Sequence, residues 1–324
     1  MQWLLARALL CAFAALATNA VLAQAYPSRA IKLVVPLAPG AQIDWIARTF
    51  AEALSAVVKQ PVVIENHAGA AGTIGANLVA KAPPDGYTLL VGGAFNLSLA
   101  PALLREIPYD PVKDFAPIGA LARVPYALAV RSGVPAKSLQ ELIAYARANP
   151  GRLSYGSSGV GSNSSLAIEV LKASAGLDIL HVPYKGSAPA AMAAVAGDVD
   201  MVCMDLALVA PHAKAGSLRL VALAGSKRSA MAPELPTAAE QGVPALAFEP
   251  WYGLVAPAAI SDETRERLAT ALNRVVRAPE WQRRLEQKGY EVIVDTPESF
   301  GTLIRDDVER YARVIEAAKI PREP

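Results

Sequence analysis

The chain has 324 residues, too many for one minimal domain and enough for two α/β domains or lobes. Its formal charge of +2 comes from scattered acids and bases, and no basic stripe with interleaved aromatics occurs, which argues against a nucleic-acid partner. Hydrophobic residues make up 53% of the chain, largely through alanine. Beyond the leader, no stretch reaches the roughly 18 uninterrupted apolar residues of a membrane helix.

Residues 1–25 read as an export signal. Met1 to Arg7 carries one positive charge, and Ala8 to Leu22 is an apolar core too short to span comfortably. The small residues Ala23 and Ala25 follow, and cleavage is expected after one or the other. Cys11 follows Leu9-Leu10 with half the apolar core still to come, which does not fit a lipid-attachment site. Removing the leader leaves Cys203 as the only cysteine, so no internal disulfide is expected and stability rests on the core. Cys203 lies in the apolar run Met201-Val202-Cys203-Met204 and reads as an inert core residue.

In chain order, Ile31 to Val35 reads as a buried strand closed by Pro36 and the turn Ala38-Pro39-Gly40. Ile43, Ile46, Ala47, Phe50, Leu54 and Val57 then recur at helical spacing. Val62 to Ile64 is a second strand. A loop of small residues follows, Gly69-Ala70-Ala71-Gly72-Thr73-Ile74-Gly75, and then a short helix to Lys81. A third strand, Tyr87 to Val91, ends at Gly92-Gly93. This alternation predicts a parallel sheet with right-handed crossovers, and ligands collect beyond the carboxyl ends of such strands. Ile118 to Val130 is a long extended candidate that carries the chain out of this first lobe.

A second α/β series follows. Ser138-Leu139-Gln140-Glu141 is a capping box, and its helix ends near Asn149-Pro150-Gly151. Strands are expected at Leu153 to Tyr155, Ile179 to Val182, Val199 to Met204 and Leu218 to Ala224. A helix rich in alanine runs from Ser187 to Ala196. Trp251 to Ala256 carries the chain back. Three helices close it, starting after Ser261, after Pro279, and at Thr296-Pro297-Glu298, where Thr296 is the N-cap and Pro297 takes the first helical position.

The most distinctive stretch is Tyr155 to Ser165, with three glycines and five serines between a strand and a helix. A turn of this kind leaves N–H groups and hydroxyls at a helix N-terminus, where an anion is favoured, or it is an idle polar loop. Other motifs fail. Glycines 69, 72 and 75 miss the G-x-G-x-x-G spacing, and no phosphate-loop signature occurs. Ser157 and Ser158 each lack one of the two flanking glycines of a nucleophile elbow, with Tyr155 and Val160 in their places. The three histidines, His67, His181 and His212, have no ligand spacing, so no metal is expected. Cofactors and enzyme chemistry find little support.

Several collinear motifs resemble the periplasmic solute-binding receptors of tripartite tricarboxylate transporters, the Bug-type receptors. They include Pro36-Leu37-Ala38-Pro39-Gly40 with Asp44, Pro61 to Asn66, Gly72-Thr73-Ile74-Gly75, and Pro83-Pro84-Asp85-Gly86-Tyr87. Pro108 to Phe115, Gly159-Val160-Gly161-Ser162, His181 to Gly186 and Trp251-Tyr252-Gly253 continue the match across the chain that follows the leader. The resemblance implies a two-lobe "Venus flytrap" of type II-like architecture, each lobe a mainly parallel sheet flanked by helices, joined by two crossing strands. The lobes are expected at 26–125 plus 251–324 and at 126–250. It also implies a periplasmic monomer that captures a small carboxylate and delivers it to membrane permease subunits. A sensory protein of the same fold and an exported serine hydrolase are the alternatives.

Ligand contacts implied by the resemblance come from Gly40, Ala41, Gln42 and Asp44 of the first loop, Gly72 and Thr73, and Gly93 and Asn96. Across from them stand Ser157, Ser158, Gly159, Gly161 and Ser162, then Tyr184 and Lys185, and Asp205. Asp44 has a second reading as a helix cap, and Tyr184-Lys185 as a strand-ending turn. Two departures from the family pattern stand out. Ala41-Gln42-Ile43 replaces a second glycine and its neighbours, and Ser165 stands where a histidine is common. Aspartate-like, glutamate-like, citrate-like and aromatic carboxylates all fit the resemblance.

Overall fold

The computed structural model describes residues 26–246 and 248–317, together with 3, 320 and 322; the expected export signal and cleavage site lie outside the described residues apart from residue 3. Two sheets organise the chain. The first contains β1 (Ile31–Val35), β2 (Val62–Asn66), β3 (Thr88–Gly93), β4 (Phe115–Arg123), β10 (Trp251–Pro257) and β11 (Glu291–Val292) in the order β11-β4-β10-β3-β1-β2. The second contains β5 (Tyr126–Arg131), β6 (Leu153–Ser157), β7 (Ile179–Pro183), β8 (Met201–Asp205) and β9 (Leu218–Leu223) in the order β7-β6-β8-β5-β9. Each sheet with its helices forms one lobe.

The sheets are mixed rather than mainly parallel. Pairings β1–β2, β1–β3, β6–β7 and β6–β8 are parallel, and the other five are antiparallel. The reason is the route between lobes. The chain re-enters each sheet at the edge where the parallel strands end, so β10 must run back against β3 and β5 back against β8. Tyr252 therefore sits opposite Gly93, and Tyr126 opposite Asp205. The extended run expected from Ile118 to Val130 is two strands broken at Val124-Pro125. There the two crossings touch, with Val124 N–H donating to Pro250 C=O at 2.8 Å.

Helices follow the apolar spacing. They are α1 (Gln42–Val58), α2 (Thr73–Ala80), α3 (Ala100–Leu103), α4 (Leu139–Ala148), α5 (Asn163–Ala175), α6 (Ser187–Ala196), α7 (Leu206–Lys214), α8 (Asp262–Val276), α9 (Pro279–Glu286) and α10 (Pro297–Ala317). Ser138 Oγ accepts from Glu141 N–H, Ser162 Oγ from Ser165 N–H and Ser261 Oγ from Thr264 N–H, each satisfying one orphan donor of its helix. Two helical segments are absent from the sequence reading. Phe95–Leu99 winds as a wide turn into α3, and α7 carries Pro211 inside it. Proline argues against a helix interior, and here the surrounding packing outweighs that preference.

The strands of the second lobe divide their side chains with period two. Leu128, Val130, Met201 and Cys203 join the main core, while Ala127, Ala129, Val202 and Met204 face a smaller cluster with Ala190, Ala191 and Ala194 of α6. Small residues on α6 let that helix lie close to the sheet. Cys203 is fully buried, and burial pushes its thiol up to about 12, which makes it unreactive at neutral pH.

Candidate functional site

The carboxyl ends of β1, β2 and β3 face those of β6 and β8 across the space between the lobes. On the first lobe, the turn after β1 is fixed by Asp44. Its Oδ2 accepts from Gly40 N–H at 2.9 Å and from Arg48 Nε at 3.0 Å, and its Oδ1 accepts from Asn66 Nδ2 at 2.8 Å. Burial opposes the charge, but these donors outweigh it and hold the carboxyl below the usual range. With its oxygens so engaged, Asp44 fixes the turn at Gly40, one residue before the N-cap Ala41, which has no side-chain cap. Gly40 is exposed, and Ala41 and Gln42 are half-buried at the start of α1.

The loop after β2 is strained. Ala70 and Ala71 have φ of 44° and 53°, and Gly72 follows at 84°. Two left-handed alanines in succession cost about 1–2 kcal/mol each. A Cβ on Gly72 would lie 2.6 Å from the Phe95 ring and 3.3 Å from Asn96 Cβ, so only glycine lets the loop close on the end of β3. Thr73 is buried, and its Oγ1 donates to Ala70 C=O at 2.9 Å, tying the turn to the start of α2. Asn96 is fully buried. Its Oδ1 accepts from Gly93 N–H at 2.9 Å, which aims Nδ2 the other way, and that Nδ2 has no hydrogen-bond partner. A buried donor left unpaired costs about 1–3 kcal/mol, so this atom asks for an acceptor.

The Gly-Ser loop of the second lobe is bonded mostly to itself. Ser158 N–H donates to Ser164 Oγ at 2.9 Å, and the Ser158 and Ser164 hydroxyls are 2.9 Å apart. Ser162 Oγ donates to Gly159 C=O at 2.6 Å, and Ser165 Oγ to Ser162 C=O at 2.9 Å. Ser157 is fully buried at the end of β6, with its Oγ 2.7 Å from His181 Nε2. His181 stacks on Tyr155 at 4.5 Å with a 4° interplanar angle. No local pattern signals this serine–histidine contact, because 24 residues and a helix separate the pair. The serine has no accessible surface, so the contact braces the loop.

These elements meet across the cleft. A Cβ on Gly161 would lie 3.3 Å from Leu103 and 4.0 Å from Ala71, so the Gly-Ser loop rests on the strained loop of the other lobe. Gly93 lies against the Tyr252 ring. The Tyr252 hydroxyl donates to Gln42 Oε1 at 2.6 Å, and Gln42 Nε2 donates to Asp205 Oδ2 at 2.6 Å. Contacts between the lobes are therefore made at Gly161 and at Gln42–Asp205, while Gly72, Asn96 and Gly93 pack together within the first lobe. Tyr184 N–H donates to Ser157 C=O at 3.0 Å, which ties the end of β7 to the Gly-Ser loop. The Tyr184 ring lies over Gly156 and packs on the smaller apolar cluster, and Lys185 is exposed.

Four residues missed in the sequence take part in the contacts between these loops: Ala71, Leu103, Tyr252 and Tyr290. The motif Trp251-Tyr252-Gly253 was the available signal for Tyr252, since a tyrosine opening a strand at the cleft edge is well placed to reach across. Tyr290 follows Gly289 in a short turn, and its sequence carries no such mark. Among the described residues, no cluster of His, Cys, Asp or Glu is suited to a metal, and no helix is long and apolar enough to cross a membrane.

Residues 46–320 match the model of the tripartite tricarboxylate transporter family receptor. The chain belongs to this family. BugT of Bordetella pertussis is 33% identical over 296 residues, covering 91% of each chain. Among solved structures, Rpa4515 of R. palustris with adipate superposes with a TM-score of 0.82 at 34% identity, covering 91% of this chain and 99% of that one. MatC of Rhodopseudomonas palustris with bound malate gives 0.80 at 32%, covering 90% and 100%. The resemblance read from the motifs is therefore borne out, and the chain is a two-lobe solute-binding receptor of the periplasmic type.

Proposed function

We propose that this receptor closes residues 26–125 plus 251–324 and residues 126–250 around a small carboxylate and hands it to the permease subunits of a tripartite transporter. The carrying observation is the Asn96 amide, a buried donor without a partner beside the N-terminus of α2 and the Gly72 turn. An anion there gains from the helix dipole and from charge-assisted hydrogen bonds, the latter about 1.5–3 kcal/mol each. Micromolar binding needs about 8 kcal/mol net, more than one loop supplies after ordering costs. The start of α5 on the opposite lobe supplies a second helix N-terminus, entered through Gly161; the N–H groups of Ser158, Gly159 and Ser162 are engaged within the loop and hold its shape. Adipate and malate, found with two solved relatives, are both dicarboxylates, which supports a ligand with a charge for each jaw.

Gly40, Ala41, Gln42, Thr73 and Gly93 line the cleft and set its shape, whereas Asp44, Ser157, Tyr184 and Lys185 serve the loops rather than the ligand. The protein works as an exported monomer, with its signal removed after Ala23 or Ala25, and has no catalytic step of its own. The test is mass spectrometry of small molecules released from the natively purified protein, followed by a thermal-shift panel of mono-, di- and tricarboxylates. A ligand at about 100 times its dissociation constant adds roughly 2.7 kcal/mol. A flat response across the panel overturns the ligand class.

A further inference from the structure

The side of the cleft away from Gly161 is fastened by side chains of the protein itself. Gln42 stands at the first position of α1, where its amide is polarised from both ends. The Tyr252 hydroxyl donates to its Oε1 at 2.6 Å, and its Nε2 donates to Asp205 Oδ2 at 2.6 Å. The opposite amide orientation would set Oε1 against a carboxylate, so Asp205 fixes which way Gln42 points. Asp205 belongs to the other lobe. The Tyr290 hydroxyl also donates to its Oδ2 at 3.0 Å, and Ala207 N–H to its Oδ1 at 2.9 Å. Tyr290 is held edge-on to Trp45, with ring centroids 5.8 Å apart. Asp205, Tyr252 and Tyr290 are at most 9% exposed, which shields these bonds from water.

The surrounding surface continues the contact. Gly289, in a left-handed turn of the first lobe, lies against Met231 and Ala207 of the second, and Lys227 pairs with Glu291 at 3.1 Å. The ion pair is largely exposed and adds little. The carboxylate bonds from Gln42 and Tyr290 are of the strong, charge-assisted kind.

We propose that Gln42 and Tyr290 latch the lobes at Asp205, so that the closed form is held by the chain before ligand enters. Asp205 is then a positioning residue for closure, and Gln42 forms the fixed end wall of the cleft. This rests on the two-lobe receptor reading, but not on the chemical class of its ligand. A ligand must enter through the minor open form, and its apparent affinity is reduced by that fraction.

The test measures lobe separation without ligand, so an error in the ligand class leaves it unaffected. Spin labels are placed at Val112→Cys and Met192→Cys, exposed positions on the first and second lobes, in a Cys11→Ser background; Cys203 is buried and does not label. The protein is refolded from denaturant to strip any bound solute. The unsubstituted latch is expected to give one short, narrow distance population. Gln42→Ala should raise the open population about tenfold or more, Asp205→Ala further because it removes the Tyr290 bond as well, and the double variant no further than Asp205→Ala alone. Tyr290→Phe, which deletes a single hydroxyl and keeps the fold, should shift the population in the same direction by less. An unchanged distribution in Gln42→Ala and Tyr290→Phe, or fully additive opening in the double variant, overturns the latch.

Discussion

The two jaws of the cleft solve the same problem in opposite ways. In the second lobe, the Gly-Ser loop spends its hydroxyls on one another and on its own backbone, so its shape is held by Ser157, Ser158, Ser162, Ser164 and Ser165. In the first lobe, strain and an unpaired donor are kept in place at Ala70, Ala71, Gly72 and Asn96. A loop whose hydroxyls are bonded within itself needs no ligand to be stable, and its buried unpaired atom, Asn163 Oδ1, is an acceptor that an anion does not serve. A loop with a buried unpaired amide and left-handed alanines is less stable alone and gains more when an acceptor arrives. The glycine- and serine-rich jaw is therefore the frame, and the plainer alanine loop opposite is where binding has most to add.

This contrast can be broken most severely at the contact between the jaws. Gly161→Trp places an indole where only 3.3 Å separates a Cβ from Leu103, at a φ of +69°. Binding of any carboxylate measured by calorimetry should vanish while circular dichroism stays native-like. Next in size is Asn96→Asp. It keeps the acceptor for Gly93 N–H and replaces the free donor with a buried carboxyl oxygen, so affinity should fall by about 100-fold and the melting temperature should drop as well. If Asn96→Asp binds as well as the parent, the unpaired amide does not face the ligand.

Smaller effects separate frame from binder. Ser164→Ala removes the acceptor for Ser158 N–H and should cost stability, about 1–3 kcal/mol by urea denaturation, more than it costs affinity. Asp44 should mark the acid limb of the stability curve. Burial raises its carboxyl, but the Arg48, Gly40 and Asn66 donors outweigh that and leave it lowered in the folded protein. Its contribution is therefore complete above the unfolded value of about 4 and is lost as pH falls through the lower folded value. Asp44→Asn should flatten that limb in urea midpoints measured between about pH 2 and 6. The smallest change is Ala71→Gly, which relieves one left-handed alanine and should stabilise by about 1 kcal/mol. A loss of stability there would mean that Ala71 packing against the opposite jaw outweighs its strain.

Much of the scaffold could be read directly. The apolar spacing from Ile43 to Val57, the caps at Ser138 and Ser261, and Pro297 at the start of the last helix are local signals, and each element formed where they place it. The collinear motifs carried the family. What could not be read was direction within the sheets. Whether β10 runs with or against β3 depends on which edge the chain re-enters, and no local pattern encodes that. Asp205 came from the resemblance, with its partners unforeseen, since Gln42 and Tyr290 lie 163 and 85 residues away in sequence.

By itself the sequence determined two α/β series, their loop positions and the glycines that let those loops close, because periodicity, caps and turns act over a few residues, and its motifs carried the resemblance to the receptor family. Tertiary structure alone decided which polar groups remain for a ligand. The serines of the Gly-Ser loop are drawn into their own network, while Asn96 keeps a free buried donor and Gln42 is fixed between Tyr252 and Asp205. A hydrogen bond depends on distance and angle between groups that folding brings together, and those quantities exist only once the two lobes are packed.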